Sequence, residues 1–253
     1  MNNTNFKLYS QYYDLLYGDK DYQKEADYIE KLVLNYHSGV EKILLDLGSG
    51  TGKHGQLMAK KKFVVTGIEK SPEMVSISNE TPVKNFRSFV GDIRNFQLSS
   101  KFNIITALFH VISYINTNSD LDKVFGNVYS HLESEGIFIF DVWYSNAVYS
   151  LKPETRIKRV KSSSYELTRI GEPELRHKNN IVDVRYQIFI KDLNSNKSQD
   201  FSELHSMRHY SIPEIKYVAS KNHLQVLQAE EFLTGESPSE STWGVTFILK
   251  KMR

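Results

Sequence analysis

The chain has 253 residues, ample for a buried core in one large domain or two small ones. Its 32 Lys and Arg against 30 Asp and Glu leave a net charge of +2, too balanced to point to a nucleic-acid partner or a membrane surface. With no cysteine, disulfide and thiolate chemistry are excluded; a polar start (M-N-N-T-N) and no apolar run of ~18 residues leave a cytoplasmic protein as the expectation.

Tyr9 to Tyr22 reads Y-S-Q-Y-Y-D-L-L-Y-G-D-K-D-Y, dense in tyrosine ahead of the first strand. One reading is an amphipathic helix whose rings cover the core. The other lays some of them over a bound ligand, where an aromatic face or phenol oxygen favours a cation. From Asp21 to about Tyr36 a helix continues, with Ala26, Ile29, Leu32 and Val33 at helical spacing.

Ile43 to Gly52 (I-L-L-D-L-G-S-G-T-G) is an apolar run ending in glycines at 48, 50 and 52. It reads as a buried strand, a tight turn and the start of a helix to about Lys61. Glycine permits positive φ and lets a ligand approach bare backbone, while the helix start offers unpaired amides and a positive dipole end. A dinucleotide fold wants G-x-G-x-x-G, and Lys53 stands where its third glycine would be; a P-loop wants G-x-x-x-x-G-K-[ST], and His54 follows Gly52-Lys53. An acid, Asp46, two residues before Gly48, Gly50 and Gly52 resembles motif I of the class I S-adenosylmethionine (SAM) dependent methyltransferases. That resemblance implies SAM as cofactor, its carboxylate at the helix start and its ammonium balanced by Asp46.

Phe63 to Ile68 is a second strand, closed by Glu69 with Lys70 after it. A strand-end carboxylate can accept from both ribose hydroxyls. Ser71-Pro72 opens the next helix as N-cap and first helical residue, and Met74 is placed either against an adenine or in ordinary packing. Phe89 to Ile93 ends a third strand on Asp92 and Ile93, an acceptor for an adenine amino group and an apolar partner for its face. Phe102 to Phe109 is a fourth buried strand, and the loop His110-Val111-Ile112-Ser113-Tyr114 lies beyond its carboxyl end, where ligands bind in parallel sheets. Phe109 is assigned to the cofactor; His110 and Tyr114 are candidates at the reacting centre, His110 against the plainer reading of a solvated loop histidine. Asn118 to His131 is a helix with Ser119 as N-cap. Gly136 to Asp141 is strand five, with Trp143 and Tyr144 just past its end, where they would stack on a ligand or roof the core. Asp141-Val142-Trp143-Tyr144 does not resemble a magnesium site.

After about Arg156 the texture changes. Ile181–Ile190 and Phe201–Tyr210 alternate with period two between turn-rich stretches, the pattern of antiparallel strands. Glu203 and His205 share one face, either turned to the site or a solvated stripe. Pro213 to Asn222 is a helix; Leu224 to Phe232 and Thr242 to Leu249 are strands. The expected fold is α/β: a Rossmann-like class I methyltransferase sheet of seven strands, the last antiparallel, formed by residues 1–149 and 211–253, with residues 150–210 an inserted antiparallel β lid.

The chain most resembles the deoxyaminosugar N-methyltransferases acting on nucleotide-linked sugars. The matching stretches are Tyr13-Asp14-Leu15, Lys20-Asp21-Tyr22, Gly50-Thr51-Gly52 with His54, Gly91-Asp92, Phe109 through Tyr114, Trp143-Tyr144, Val184-Arg185-Tyr186, and Glu203-x-His205 leading to Tyr210-Ser211. They run through nearly the whole chain; Trp243-Gly244 departs from the family's Arg-Gly. The resemblance implies a small-molecule acceptor, a nucleotide-linked aminosugar, with Tyr114 and the N-terminal tyrosines on the acceptor side and His205 on the lid face. The candidates at the chemistry are Tyr114, His110 and His205; those beside the cofactor include Tyr13 and Tyr22, and those beside the acceptor are Tyr9, Trp143, Tyr144, Arg185 and Glu203. O- or C-methylation of another metabolite, and SAM binding without turnover, stay open, as does the choice between monomer and homodimer.

Overall fold

The computed structural model describes the backbone of residues 9–252 and the side chains of residues 12–252. Two helices lead in, α1 (Tyr9–Leu16) and α2 (Tyr22–Tyr36), the second capped by the Asp21 side chain on the Lys24 amide. Strands and helices then alternate: β1 (Ile43–Leu47), α3 (Lys53–Lys60), β2 (Val64–Glu69), α4 (Pro72–Glu80), β3 (Phe86–Val90), β4 (Phe102–Ala107), a 3₁₀ turn (Val111–Tyr114), α5 (Asn118–His131) and β5 (Leu132–Trp143). A short α6 (Ser145–Ser150) leads to β6 (Arg156–Lys161), β7 (Tyr165–Arg176), β8 (Ile181–Asp192) and β9 (Ser198–Arg208). Helix α7 (Ile212–Lys221), β10 (Leu224–Glu231) and β11 (Gly244–Lys251) complete the described chain.

The main sheet has seven strands in the order β10-β11-β5-β4-β1-β2-β3, and β11 runs antiparallel to both its neighbours. Strand order reverses at β1, which pairs with β2 on one side and β4 on the other. A crevice therefore opens beyond the carboxyl ends of β1 and β4. Both sheet faces are covered. Val124, Phe125 and Val128 of α5 and Ile215 of α7 pack on Leu45, Ile105, Phe138 and Phe140; Ile29, Leu32 and Val33 of α2 and Met58 of α3 pack on Leu44, Ile104, Ile137 and Ile139.

The second sheet, β6-β7-β8-β9, is antiparallel throughout. Its buried face presents Leu167, Ile188 and Ile190 to Tyr12 and Leu16 of α1. The tyrosine-rich helix thus covers this sheet, not the main core.

Several elements depart from expectation. The N-cap of α5 is Thr117, extended and accepting from the Asp120 amide at 3.1 Å; Ser119 already lies inside the helix. Helix α7 starts one residue earlier than Pro213, at Ile212, behind a capping box of Ser211 and Glu214. Trp143 is the last residue of β5, not beyond it, and α6, β6 and β7 are additional elements.

Candidate active site

The turn after β1 is built around Glu69. Its Oε2 accepts the Gly50 amide at 3.0 Å and its Oε1 the Ser71 amide at 2.8 Å, so β2 ties the glycine turn to the start of α4. Each oxygen keeps a lone pair after these bonds. Burial raises the Glu69 pKa, against the amides of Ser71, Gly50 and Lys70, which favour the charge.

The three glycines do different work. All have positive φ, but a Cβ on Gly48 would strike Val111 at 2.5 Å and one on Gly52 would strike Phe86 at 2.8 Å. On Gly50 it would meet only the Met74 sulfur, at 4.0 Å. Gly50 has open space where a Cβ would stand, whereas at Gly48 and Gly52 protein packing fills it.

Asp46 is buried, accepts from Thr106 Oγ1 at 2.8 Å, and is pushed up to about 6 by burial in spite of the His54 charge. Asp92 is gripped by Arg94 through Nε at 2.9 Å and Nη2 at 2.6 Å, with Lys70 Nζ 3.5 Å away. Those bonds hold its carboxyl down at about 2. Ile93 and Met74 are buried. Ile93 belongs to the main core, whereas Met74 borders the open side of Gly50.

A cation missed in the sequence lies here. Lys20 Nζ sits 3.5 Å from the Phe109 ring centroid, 4.7 Å from that of Tyr22 and 2.9 Å from Glu25 Oε2, while His54 Nε2 is 2.6 Å from the same oxygen. Burial lowers the Lys20 pKa, and Glu25 and Asp141 hold it up. The signal was its place between the tyrosines and the glycine turn, a spacing that by itself names no partner. Tyr13 lies against Tyr17, with ring centroids 4.7 Å apart.

Phe109 and His110 both adopt left-handed backbone, φ 67° and 62°. Asp141 fixes this corner, accepting the Phe109 amide at 2.7 Å and the His110 amide at 3.1 Å, with His110 Nδ1 at 2.6 Å. Burial pushes Asp141 up, but His110 and, more weakly, Lys20 bring its carboxyl below the usual range. His110 is therefore no loose loop histidine; its ring meets Trp143 edge-on at 6.2 Å, and Trp143 meets Trp243 at 6.2 Å.

Across the crevice a chain of three groups links the 3₁₀ turn after β4 to β9 of the second sheet. Tyr114 hydroxyl lies 2.8 Å from His205 Nδ1, and His205 Nε2 lies 3.0 Å from Glu203 Oε2. With Glu203 as carboxylate and His205 as neutral imidazole, Nε2 donates to Glu203 and Nδ1 accepts from the Tyr114 hydroxyl. His205 and Glu203 are buried, whereas Tyr114 as a residue is 37% exposed. Desolvation, then Tyr186, Tyr17 and Glu203, raise the Tyr114 pKa well above the ordinary phenol value, so it stays protonated. Glu203 and His205 face the crevice, not solvent.

Two expected acceptor residues lie elsewhere. Tyr144 is buried in the main core ahead of α6, and Arg185 is exposed on the outer face of the second sheet, where Glu172, Asp183 and Leu204 surround it. The pleat turns Arg185 away whenever Tyr186 faces His205. The side chain of Tyr9 lies outside the described residues.

Residues 39–197 match the methyltransferase domain family. The chain belongs to that family. A protein of Geobacillus sp. (strain WCH70), provisionally named a methyltransferase, is 24% identical over 97% of this chain and 99% of its own. The dTDP-3-amino-3,4,6-trideoxy-alpha-D-glucopyranose N,N-dimethyltransferase of Streptomyces venezuelae is 30% identical, over 52% of this chain and 56% of that one. Among solved structures, SAM-bound CalS10, an amino pentose methyltransferase from Micromonospora echinaspora, superposes with a TM-score of 0.76 at 19% identity, covering both chains fully. Sequence similarity to the Streptomyces enzyme thus covers about half of either chain, and the likeness to CalS10 is one of fold. The protein is a SAM-dependent methyltransferase with the class I fold expected from its sequence. Among the described residues no helix is long and apolar enough to cross a membrane.

The site fits SAM on its own geometry. With SAM bound, Glu69 would offer spare acceptors to the ribose, Gly50 an open approach, Lys20 a buried cation to the carboxylate, and Asp46 a counter-charge to the ammonium.

Proposed function

We propose that the protein N-methylates the amino group of a nucleotide-linked deoxyaminosugar. The observation that carries this reading is the Tyr114–His205–Glu203 chain at the crevice mouth. Bound SAM supplies an electrophilic methyl on a sulfonium whose thioether leaves without acid assistance. The protein's tasks are then to position the acceptor, exclude water and free its lone pair. An amine reaches the site as an ammonium and must lose a proton to become nucleophilic. The amine donates an N–H to the Tyr114 oxygen, and the proton taken there is matched by one passed to His205 Nδ1. The imidazolium so formed is held by Glu203. The corner built by Asp141 sets Phe109 and His110 opposite, where His110 and Trp143 wall the acceptor. Recognition of the sugar is further supported by similarity to the Streptomyces aminosugar dimethyltransferase.

Incubation with methyl-labelled SAM and a panel of nucleotide-linked aminosugars, their hydroxyl analogues and free amines tests this. Label on the amine supports the reading; label only on hydroxyl analogues makes the protein an O-methyltransferase. SAM binding with no label on any sugar amine would reject the aminosugar reading.

A further inference from the structure

The buried face of the second sheet carries two cations set against each other. Lys158 on β6 and Arg169 on β7 are direct register partners, so both side chains leave the same face. Like charges directly opposite in an antiparallel pair are destabilising unless something anionic joins them. Both lie over one ring: Lys158 Nζ is 5.7 Å and Arg169 Cζ 5.5 Å from the Tyr17 centroid, and Arg169 Nη1 donates to the Tyr17 hydroxyl at 2.9 Å. Arg169 Cζ also stands 4.7 Å from the Tyr186 centroid, and Tyr186 meets His205 edge-on at 4.9 Å. On its other side Tyr17 meets Phe109 at 5.1 Å. The cation pair is therefore one aromatic layer from both the proton relay and the Phe109 corner.

Asp19 pairs with Lys158 at 2.6 Å, and both cations draw its carboxyl below the ordinary range, the Lys158 hydrogen bond most. Its side chain is 72% exposed, whereas that of Lys158 is 28% exposed. Asp19 is thus an anion reaching in from solvent onto a more sheltered cation, and it can swing out at little cost.

We infer that Lys158 and Arg169 form the subsite for the far end of the acceptor, a phosphate or diphosphate ester that replaces Asp19 while the amine lies at Tyr114. The planar guanidinium suits two phosphate oxygens at once, and the ammonium adds a point charge beside it. This rests on the aminosugar reading, because a free amine gives the pair nothing to hold.

The test uses the full chain with adenosylhomocysteine bound, titrated calorimetrically with inorganic pyrophosphate, as wild type, Lys158→Met and Arg169→Met. Pyrophosphate affinity falls about tenfold in each variant, the loss of one charge-assisted contact. The ratio of kcat/KM for a diphosphate-linked aminosugar over the free aminosugar falls by about the same factor. Lys158→Met leaves the Arg169–Tyr17 hydrogen bond in place, so an outcome there is not confounded by a displaced Tyr17. Unchanged pyrophosphate affinity and an unchanged substrate ratio in both variants would overturn the subsite while leaving N-methylation standing. A wild type that methylates no sugar amine would reject the function, and the pyrophosphate titration would still decide the subsite.

Discussion

Tyr114 and His205 are 91 residues apart in the chain and 2.8 Å apart in space, and their hydrogen bond joins the 3₁₀ turn after β4 to the second sheet. Each residue alone is ordinary; joined, with Glu203 behind them, they have a fixed direction of donation. Tyr114→Phe removes the oxygen that meets the acceptor and His205→Asn removes its partner. Each is expected to lower kcat about 10²-fold, at the low end for a positioned proton acceptor. The double variant should lose scarcely more than either single one, because both act on one proton. Adenosylhomocysteine affinity should not change. Steady-state kinetics with any acceptor found in the panel checks this, and additive losses would dissolve the relay.

The glycine turn separates ligand room from protein packing. Gly50→Ala puts a methyl into open space at positive φ, costing about 1–2 kcal/mol of stability but obstructing the cofactor. Gly52→Ala carries the same backbone strain and also drives a methyl into Phe86, so it should cost clearly more stability. Glu69→Ala should weaken adenosylhomocysteine binding by removing the ribose acceptors and releasing the Gly50 and Ser71 amides. Calorimetry and urea melts on the three proteins suffice. Equal affinity for Gly50→Ala and wild type would move the cofactor away from this turn.

Where the sequence was informative, local chemistry and tertiary structure agreed. The apolar run into Gly48-Ser49-Gly50 could only be a strand and turn, and Ser71-Pro72 opens α4 as its residue types require. Strand β8 was legible because one face is buried and alternation survives. Strand β7 was hidden by Gly171 and Pro173, which argue against a central strand. The register resolves this: pairing with β6 ends at Gly171, so Pro173 lies on a locally free edge where its missing N–H costs nothing. Parity decided Arg185, and parity depends on a register no single strand contains. That Gly48 and Gly52 serve packing depends on Val111 and Phe86, far along the chain. Lys20 stood in a matching stretch, but its partners were unreadable, since only the fold brings it onto Phe109.

Two buried groups titrate in opposite senses over nearly the same range. Asp46 rises from about 4 unfolded to about 6 folded. Its contribution to stability is complete at low pH and disappears as pH climbs through about 6. His209, buried beside Ser145, falls from about 6.5 unfolded to about 4 by burial and then by the Arg208 and His177 charges. Its contribution is complete above about 6.5 and is lost as pH drops through about 4. Each swing is on the order of 3 kcal/mol, so between about pH 4 and 6 they nearly cancel. Asp46→Asn should expose a stability that rises with pH in that window, and His209→Asn one that falls. Asp46→Asn should also be more stable than wild type at neutral pH while binding SAM less well, a trade expected of a charge held for function. Urea melts at stepped pH decide it; curves parallel to wild type in both variants would refute the assignment.

The start of α5 offers a test of capping independent of catalysis. Thr117 and Ser119 are both hydroxyl residues before the apolar stripe of Leu121, Val124, Phe125 and Val128, and the sequence alone does not choose between them. In the fold Thr117 is extended, φ −121° and ψ 150°, and its Oγ1 receives the Asp120 amide; Ser119 is already helical and cannot accept from its own first turn in that way. Thr117→Ala is expected to cost about 1 kcal/mol, with a melting temperature lower by roughly 2–4 °C. Ser119→Ala should be neutral or slightly stabilising, because alanine is the better helix former. Thermal melts of the two variants are enough, and a larger loss from Ser119→Ala would shift the cap by two residues and with it the register of α5 beneath Phe138 and Phe140.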